Sequence, residues 1–317
     1  MQHGTRSLWL GAAIAAGAMI GAGAAEAEML RLMTGPQGGS WYPMGGAIKN
    51  IVEENVEGTT LQVLPGAGIA NVKAVEAGKA DVAFANSVST VDAINGNPPF
   101  EEKVTNVCHL ATLYPQYFQV VTTEGTGIES IEGLKGRALT TQPTGNTGEA
   151  ITQHMLKAAG LSYDDLSGTD FVSYTDSVAL LKDGNSEVFT LGTTVPASSI
   201  MDLAAARNVR LLPVSDDLLS KMQDLNPGYQ RIGVPAGTYP GQEEEVPTIG
   251  YATHLIARCD LSDEAASGIL QQVVDHQQGL ASVAKAIGDT TKEQMAADVG
   301  VPLHPAAEAF WQEQGVL

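Results

Sequence analysis

Positive charge is scarce in this 317-residue chain: 17 lysines and arginines stand against 36 aspartates and glutamates, a formal net charge of −19. Such an exterior repels phosphate backbones and anionic membrane surfaces, so nucleic acid is not an expected partner. The acidity reads as a solubility device, or, with only ten lysines present, as adaptation to a salt-rich habitat. Cysteine is nearly absent. Cys108 and Cys259 form no CxxC pair, which removes the usual redox and zinc patterns. In an exported protein the two either join in one disulfide or stay as separately buried thiols.

Catalytic signatures are missing as well. The chain has no GxSxG elbow, no HExxH and no Gly-rich loop ending in Gly-Lys-Ser/Thr, and its first Gly-rich turn lacks the dinucleotide-binding spacing. His3, His109, His154, His254, His276 and His304 are scattered without ligand spacing, so surface or satisfied core positions are expected for them, with no metal and no cofactor. The acidic run from Gln242 to Glu245 reads as a solvated loop rather than a calcium site.

What is present is apolar material, 44% of residues against 17% charged, enough to build packed cores, and a length that suggests two domains. Arg6 precedes an almost uncharged run from Leu8 to Ala25, and Ala25-Glu26-Ala27 supplies small residues around a cleavage site. Residues 1–27 therefore read as a signal peptide, with a retained membrane anchor as the alternative. Beyond it, Met29 to Thr34, Thr59 to Leu64 and Ala80 to Ala85 have strand character, separated by helical spacing from Ser40 to Glu54 and from Gly68 to Gly78. This βαβ order predicts a largely parallel sheet, and Ser40 is the expected N-cap of the first helix.

The order recurs downstream. Sliding the chain by 106 positions places Gly39 on Gly145, Ser40 on Asn146, Val72 on Val178, Gly78 on Gly184, Asp81 on Glu187 and Val82 on Val188. The match predicts two related α/β lobes. A strand from Tyr117 to Thr123 and a segment from Ile249 to Arg258 are expected to cross between them as a hinge.

Four loop-to-helix starts have the chemistry of a binding edge: Gly35 to Gly46, Leu64 to Asn71, Phe84 to Ser89 and Gln142 to Glu149. Glycines let backbone amides approach a ligand, and helix starts offer unpaired N–H groups at the carboxyl edge of parallel strands. The expected ligand-binding residues are Gly39, Ser40, Trp41, Tyr42, Gly66, Gly68, Asn86, Ser87, Thr144, Gly145, Asn146, Thr147 and Thr194. None of the four starts contains Lys or Arg, so a carboxylate would be held by amides and hydroxyls, which also suit a neutral or zwitterionic solute.

Several segments in their order along the chain carry a resemblance to a known family: GGSWYPMGGAI, AGKADVAFANS, ATLYPQ, IEGLKGRALTTQPTGNTGE, VPASSIMDLA, VPAGTYPGQEEEVPTIGY and the terminal PLHPAAEAFWQEQG. The chain resembles the TAXI-type solute-binding subunits of TRAP (tripartite ATP-independent periplasmic) transporters. The resemblance implies a two-lobed periplasmic-binding-protein-like α/β architecture, and the expected crossing segments divide the chain into lobe 1 at residues 28–116 plus 245–317 and lobe 2 at 117–244. It implies a monomeric, non-enzymatic receptor in the periplasm that delivers a glutamate- or 2-oxoglutarate-like solute to a TRAP-type membrane permease. The turn Pro65-Gly66-Ala67-Gly68-Ile69 and the segment Gly184-Asn185-Ser186-Glu187 depart from the family's usual residues. A periplasmic enzyme acting on a small carboxylate is the rival class.

Overall fold

Apolar residues alternating with turn-forming glycines divide the first part of the chain into short strands and amphipathic helices, and the computed structural model describes residues 1–2, 28–35 and 40–317. The signal-peptide reading and Gly39 lie outside the described residues. Among the described residues no helix is long and apolar enough to cross a membrane.

The first half-unit is β1 (Glu28–Met33), α1 (Trp41–Asn55), β2 (Thr59–Leu64), α2 (Gly68–Glu76) and β3 (Val82–Asn86). β1 pairs in parallel with both β2 and β3. α3 (Ser87–Asn95) and a long strand β4 (Cys108–Thr123) follow. The same pattern returns as β5 (Ala138–Thr141), α4 (Thr147–Ala158), β6 (Gly168–Phe171), α5 (Tyr174–Asp183) and β7 (Val188–Thr193), with β5 parallel to both β6 and β7. Then come α6 (Ser198–Ala204), β8 (Val209–Leu211), α7 (Asp216–Leu225), β9 (Gln230–Val234) and a second long strand, β10 (Val246–Ala257). The chain ends in helices α8 (Asp263–Asp275), α9 (Gln277–Leu280), α10 (Lys285–Gly288), α11 (Lys292–Met295) and α12 (Pro305–Glu313).

One sheet collects the strands in the order β2-β1-β3-β10-β4-β7-β5-β6, a near-palindrome about the central antiparallel pair β4 and β10. The fold is thus α/β and two-lobed, and the buried apolar residues show how the lobes are fed. Leu110, Leu113 and Tyr114 of β4 and Leu255 and Ala257 of β10 pack with α1, α8 and α12. Phe118 and Val120 of β4 and Ile249 and Tyr251 of β10 pack with α4 and α7 instead. Both long strands therefore leave one core and enter the other within a few residues.

β4 is longer than the expected Tyr117–Thr123 strand, because it runs through the exposed Pro115. β7 pairs with β4 only from Tyr117 onward, so β4 is locally an edge at Pro115, where a strand tolerates a residue that lacks an N–H. The register Ala257↔Cys108 brings Cys259 alongside, and the two cysteines form a disulfide with a Cα–Cα distance of 5.0 Å. The choice between bridge and free thiols is settled in favour of the bridge.

Candidate functional site

Each parallel strand releases its chain toward the same side of the sheet, and the loops that follow meet at a cleft of about 960 Å³. β1 leads to Gly35, Ser40 and Trp41, β2 to Gly66 and Gly68, and β3 to Asn86. From the other half, β5 leads to Gln142, Asn146 and Thr147, β6 to Ser173 and Tyr174, and β7 to Gly192, Thr193 and Thr194. The two central strands supply Gln116 and Tyr251, which are register partners.

The structure brings Ser40, Trp41, Gly66, Gly68, Asn86, Asn146, Thr147 and Thr194 to this cleft. It does not bring Tyr42, Ser87, Thr144 or Gly145 among the lining residues. Thr144 and Gly145 sit exposed in the turn before α4, where Gly145 has φ +88°, a left-handed conformation that glycine adopts without strain. Ser87 is the buried first residue of α3 and accepts the Ala252 N–H at 3.0 Å, which pins the start of α3 to β10. Ser40 precedes α1 but makes no capping hydrogen bond; its own backbone is already helical, and that geometry does not aim the side chain at the next turn.

Two close approaches shape the cleft wall. A Cβ on Gly68 would lie 2.6 Å from Thr147 Oγ1 and 3.1 Å from Asn86 Nδ2, so the starts of α2, α3 and α4 touch only because residue 68 has no side chain. Thr147 Oγ1 is also 2.9 Å from Ser89 Oγ, a buried hydroxyl pair between α4 and α3. At the other end, a Cβ on Gly192 would lie 1.9 Å from the Tyr251 hydroxyl oxygen. Behind the wall, the fully buried Asn71 donates to Thr34 O at 2.6 Å and Phe84 O at 2.8 Å and accepts the Ala67 N–H at 3.1 Å. It ties the ends of β1 and β3 to the loop after β2.

No lining residue among those described carries a formal charge. The titratable groups present are phenols, and burial pushes Tyr251 and Tyr174 up, so both stay neutral at ordinary pH. Tyr174 Oη lies 3.1 Å from both the N–H and the carbonyl oxygen of Gly192. The field is instead set by backbone. The N-cap residues of α1, α2, α3 and α4 make no side-chain capping bond. Of the longer helices that start at the cleft, α5 is the capped one, by Ser173; α7, α8 and α12, which start away from it, are capped by Ser215, Ser262 and His304. At α4 the Gly148 N–H is taken by Gln142 Oε1 at 3.0 Å, a neutral oxygen held where the helix start attracts oxygen atoms. Each helix start carries roughly half a positive charge, so the cleft favours negative or oxygen-rich groups. Trp41 adds a flat apolar surface, itself stacked on Phe84 with ring centroids 5.7 Å apart.

Gln116, Gln142, Tyr174, Gly192 and Tyr251 were not among the residues expected at the site. Gln116 and Tyr251 lie inside strands, and only the pairing of β4 with β10 shows that they share the cleft. Gln142 could have been found, since it opens the same QPTGNTG turn that contains Asn146 and Thr147. Among the described residues no cluster of three or more His, Cys, Asp or Glu could hold a metal ion.

A model of the NMT1-like family matches residues 32–315. Among solved structures, a TctC solute binding protein from Polaromonas is 16% identical, with 90% of this chain and 94% of that one covered at a TM-score of 0.52. A protein of Xanthomonas citri bound to chloride ion is 13% identical, over 91% of this chain and 97% of the other, with a TM-score of 0.53. A putative L-cystine ABC transporter from Listeria monocytogenes is 11% identical, over 82% and 96%, with a TM-score of 0.51. At these identities the likeness is one of fold.

Proposed function

This chain belongs to the NMT1-like family, and from that premise we propose that it is a periplasmic receptor that captures one small organic solute by closing its two lobes on it. The observation that carries the reading is the uncharged cleft lined by helix starts from both ends of the sheet. A cleft of this size holds a metabolite-sized molecule, and groups on both walls would make their full set of contacts only when the lobes close. In this reading the lobes are residues 28–116 with 245–317, and 117–244, and the hinge is β4 with β10. The change of core along both strands supports that division.

The finer assignment is to the TAXI branch of TRAP-type secondary transporters, with a monomeric receptor that hands a glutamate- or 2-oxoglutarate-like solute to a membrane permease. Its support is the run of TAXI-like segments along the chain, together with the solute-binding neighbours of the same fold. Ser40, Asn86, Asn146, Thr147 and Thr194, with the amides of α1 to α4, would hold the ligand's oxygens. A binder rather than a catalyst fits a cleft whose only titratable lining groups among the described residues are neutral phenols.

The test is a thermal-shift screen of the mature chain against organic acids, amino acids and neutral solutes. Saturating ligand at a hundred times Kd raises stability by about 2.7 kcal/mol, which reads as a shift of several degrees. No shift with any solute, from protein shown to be folded, sinks the reading.

A further inference from the structure

The receptor reading leaves open whether the solute carries an amino group, and the cleft answers that chemically. An α-amino acid brings an ammonium beside its carboxylate, and a buried ammonium needs a carboxylate or several well-placed acceptors to offset its lost hydration. No Asp or Glu lies among the described lining residues. The two acidic groups next to lining residues are both committed: the buried Glu149 to the Tyr163 hydroxyl at 3.1 Å and the Gln153 amide, and the exposed Asp176 to the Ser173 hydroxyl at 2.7 Å. The starts of α1, α2, α3 and α4 place partial positive charge on the same space, which opposes a cation.

A second, independent feature points to what does fit. Two amide side chains at the cleft are more than nine-tenths buried, Asn86 at 9% exposure and Gln116 at 7%. Asn86 Oδ1 and Gln116 Oε1 have no hydrogen-bond partner, although Gln116 Nε2 donates to Thr253 Oγ1 at 2.6 Å. A buried acceptor without a donor is costly to leave unsatisfied, and a donor on a bound solute would satisfy it. A carboxamide accepts from a hydroxyl through its oxygen, or, turned by half a rotation, donates to an oxo group through its nitrogen. Both oxygens would also accept from an ammonium, but they carry no charge to offset it, and the helix starts oppose it.

Resting on the receptor reading, we propose that the cleft selects a small carboxylate whose neighbouring carbon bears a hydroxyl or oxo group and rejects the α-amino acid of the same skeleton. The carboxylate takes the helix-start amides, and the hydroxyl or oxo oxygen meets the carboxamides of Asn86 and Gln116.

Calorimetric titration with three matched sets decides it: lactate, pyruvate and alanine; malate, oxaloacetate and aspartate; 2-hydroxyglutarate, 2-oxoglutarate and glutamate. In the set whose length fits, the hydroxy or oxo acid is expected to bind at least tenfold more tightly than the amino acid. An amino acid that binds equally well or better overturns the inference and leaves the receptor reading standing. If none of the nine binds, the inference falls, and the screen with neutral solutes then decides the receptor reading separately. Gln116→Glu supplies the missing carboxylate at nearly the same volume. With folding verified by circular dichroism, it is expected to weaken the preferred acid at least tenfold and to narrow its margin over the amino acid; unchanged affinity and margin would remove Gln116 from the site.

Discussion

Arg137 and Glu187 form an ion pair at 2.8 Å that repeats, 106 residues later, the pair of Arg31 with Asp81 at 2.8 Å. The repetition extends to the backbone. Asp81 also accepts the N–H of Arg31, and Glu187 accepts the N–H of Ala138. In each half a carboxylate just before the third strand clamps the first strand, near its middle in one half and at its start in the other.

The two copies differ in burial, and that sets the first prediction. The side chain of Asp81 is 7% exposed, whereas that of Glu187 is 31% exposed. Burial pushes Asp81 up, but its bonds to the Arg31 side chain and backbone outweigh this and leave it below the usual carboxylate range. Its contribution is therefore present above the unfolded value near 4 and disappears as pH falls through the lowered folded value. Asp81→Asn is expected to cost about 2–4 kcal/mol in urea unfolding at pH 7, through the Arg31 left facing a neutral partner. Glu187→Gln is expected to cost under about 1 kcal/mol, because water screens that pair. Equal costs would show that burial does not separate the copies.

Gly68 tests the contact between the halves. In Gly68→Ala the new methyl must displace the Thr147 side chain, which is buried and paired with Ser89. The expected result is a loss of roughly 1–3 kcal/mol in stability and at least tenfold in solute affinity, since α2 and α4 can no longer touch. A double change, Gly68→Ala with Thr147→Ala, removes the hydroxyl that the new methyl meets and should recover part of the solute affinity. A Gly68→Ala variant that binds normally would contradict the close approach.

Two buried imidazoles predict a pH dependence. His109 Nδ1 and His254 Nδ1 are 3.0 Å apart, and His254 Nε2 meets Thr90 Oγ1 at 2.8 Å. Burial pushes His109 down to about 4 despite the opposing pull of Asp298, and burial with His109 as neighbour pushes His254 well below its usual value. Both are neutral in the fold but titrate near 6.5 when unfolded, so stability is full above 6.5 and falls as pH drops toward 4. The urea midpoint should therefore decline between pH 7 and pH 4.5, and His109→Asn should flatten that decline. An equally steep curve in the variant would assign the loss to carboxylates alone.

Asp92 predicts the opposite slope. It is buried on α3, and burial raises it to about 6 against the hydrogen bonds of Asn97 and Asn226. Its carboxyl favours the fold in the neutral form, a contribution complete below the unfolded value near 4 and lost as pH rises through 6. Asp92→Asn should accordingly raise the melting temperature at pH 7.5 by more than at pH 4.5. Equal gains at both pH values would contradict the raised value.

The disulfide closes a loop with a sequence separation of 151 residues. Replacing both cysteines by serine is expected to lower stability by about 2–5 kcal/mol, with most of the effect through the unfolded chain. Scanning calorimetry of the variant checks this, and an unchanged melting temperature would show the bridge to be dispensable.

The internal symmetry was legible in the sequence because it rests on residues with strong local meaning. Gly78 and Gly184 both adopt left-handed backbone after a helix, with φ +64° and +75°, and the acidic residues that follow both bind an arginine. Helix starts at the cleft were legible for the same reason. Gln116, Tyr251 and the disulfide were not, since each depends on how β4 lies against β10, a long-range register that no local pattern encodes. Ser87 looked like a cleft residue from its place after β3, yet its hydroxyl is committed to Ala252.

Native mass spectrometry of the gently isolated mature chain, before and after adding small organic acids, tests the central claim most directly. The account predicts one organic solute per folded chain, retained through the gentle transfer, displaced by a tighter acid and released on unfolding. A folded chain that carries no solute as isolated and takes up none of those added would contradict it.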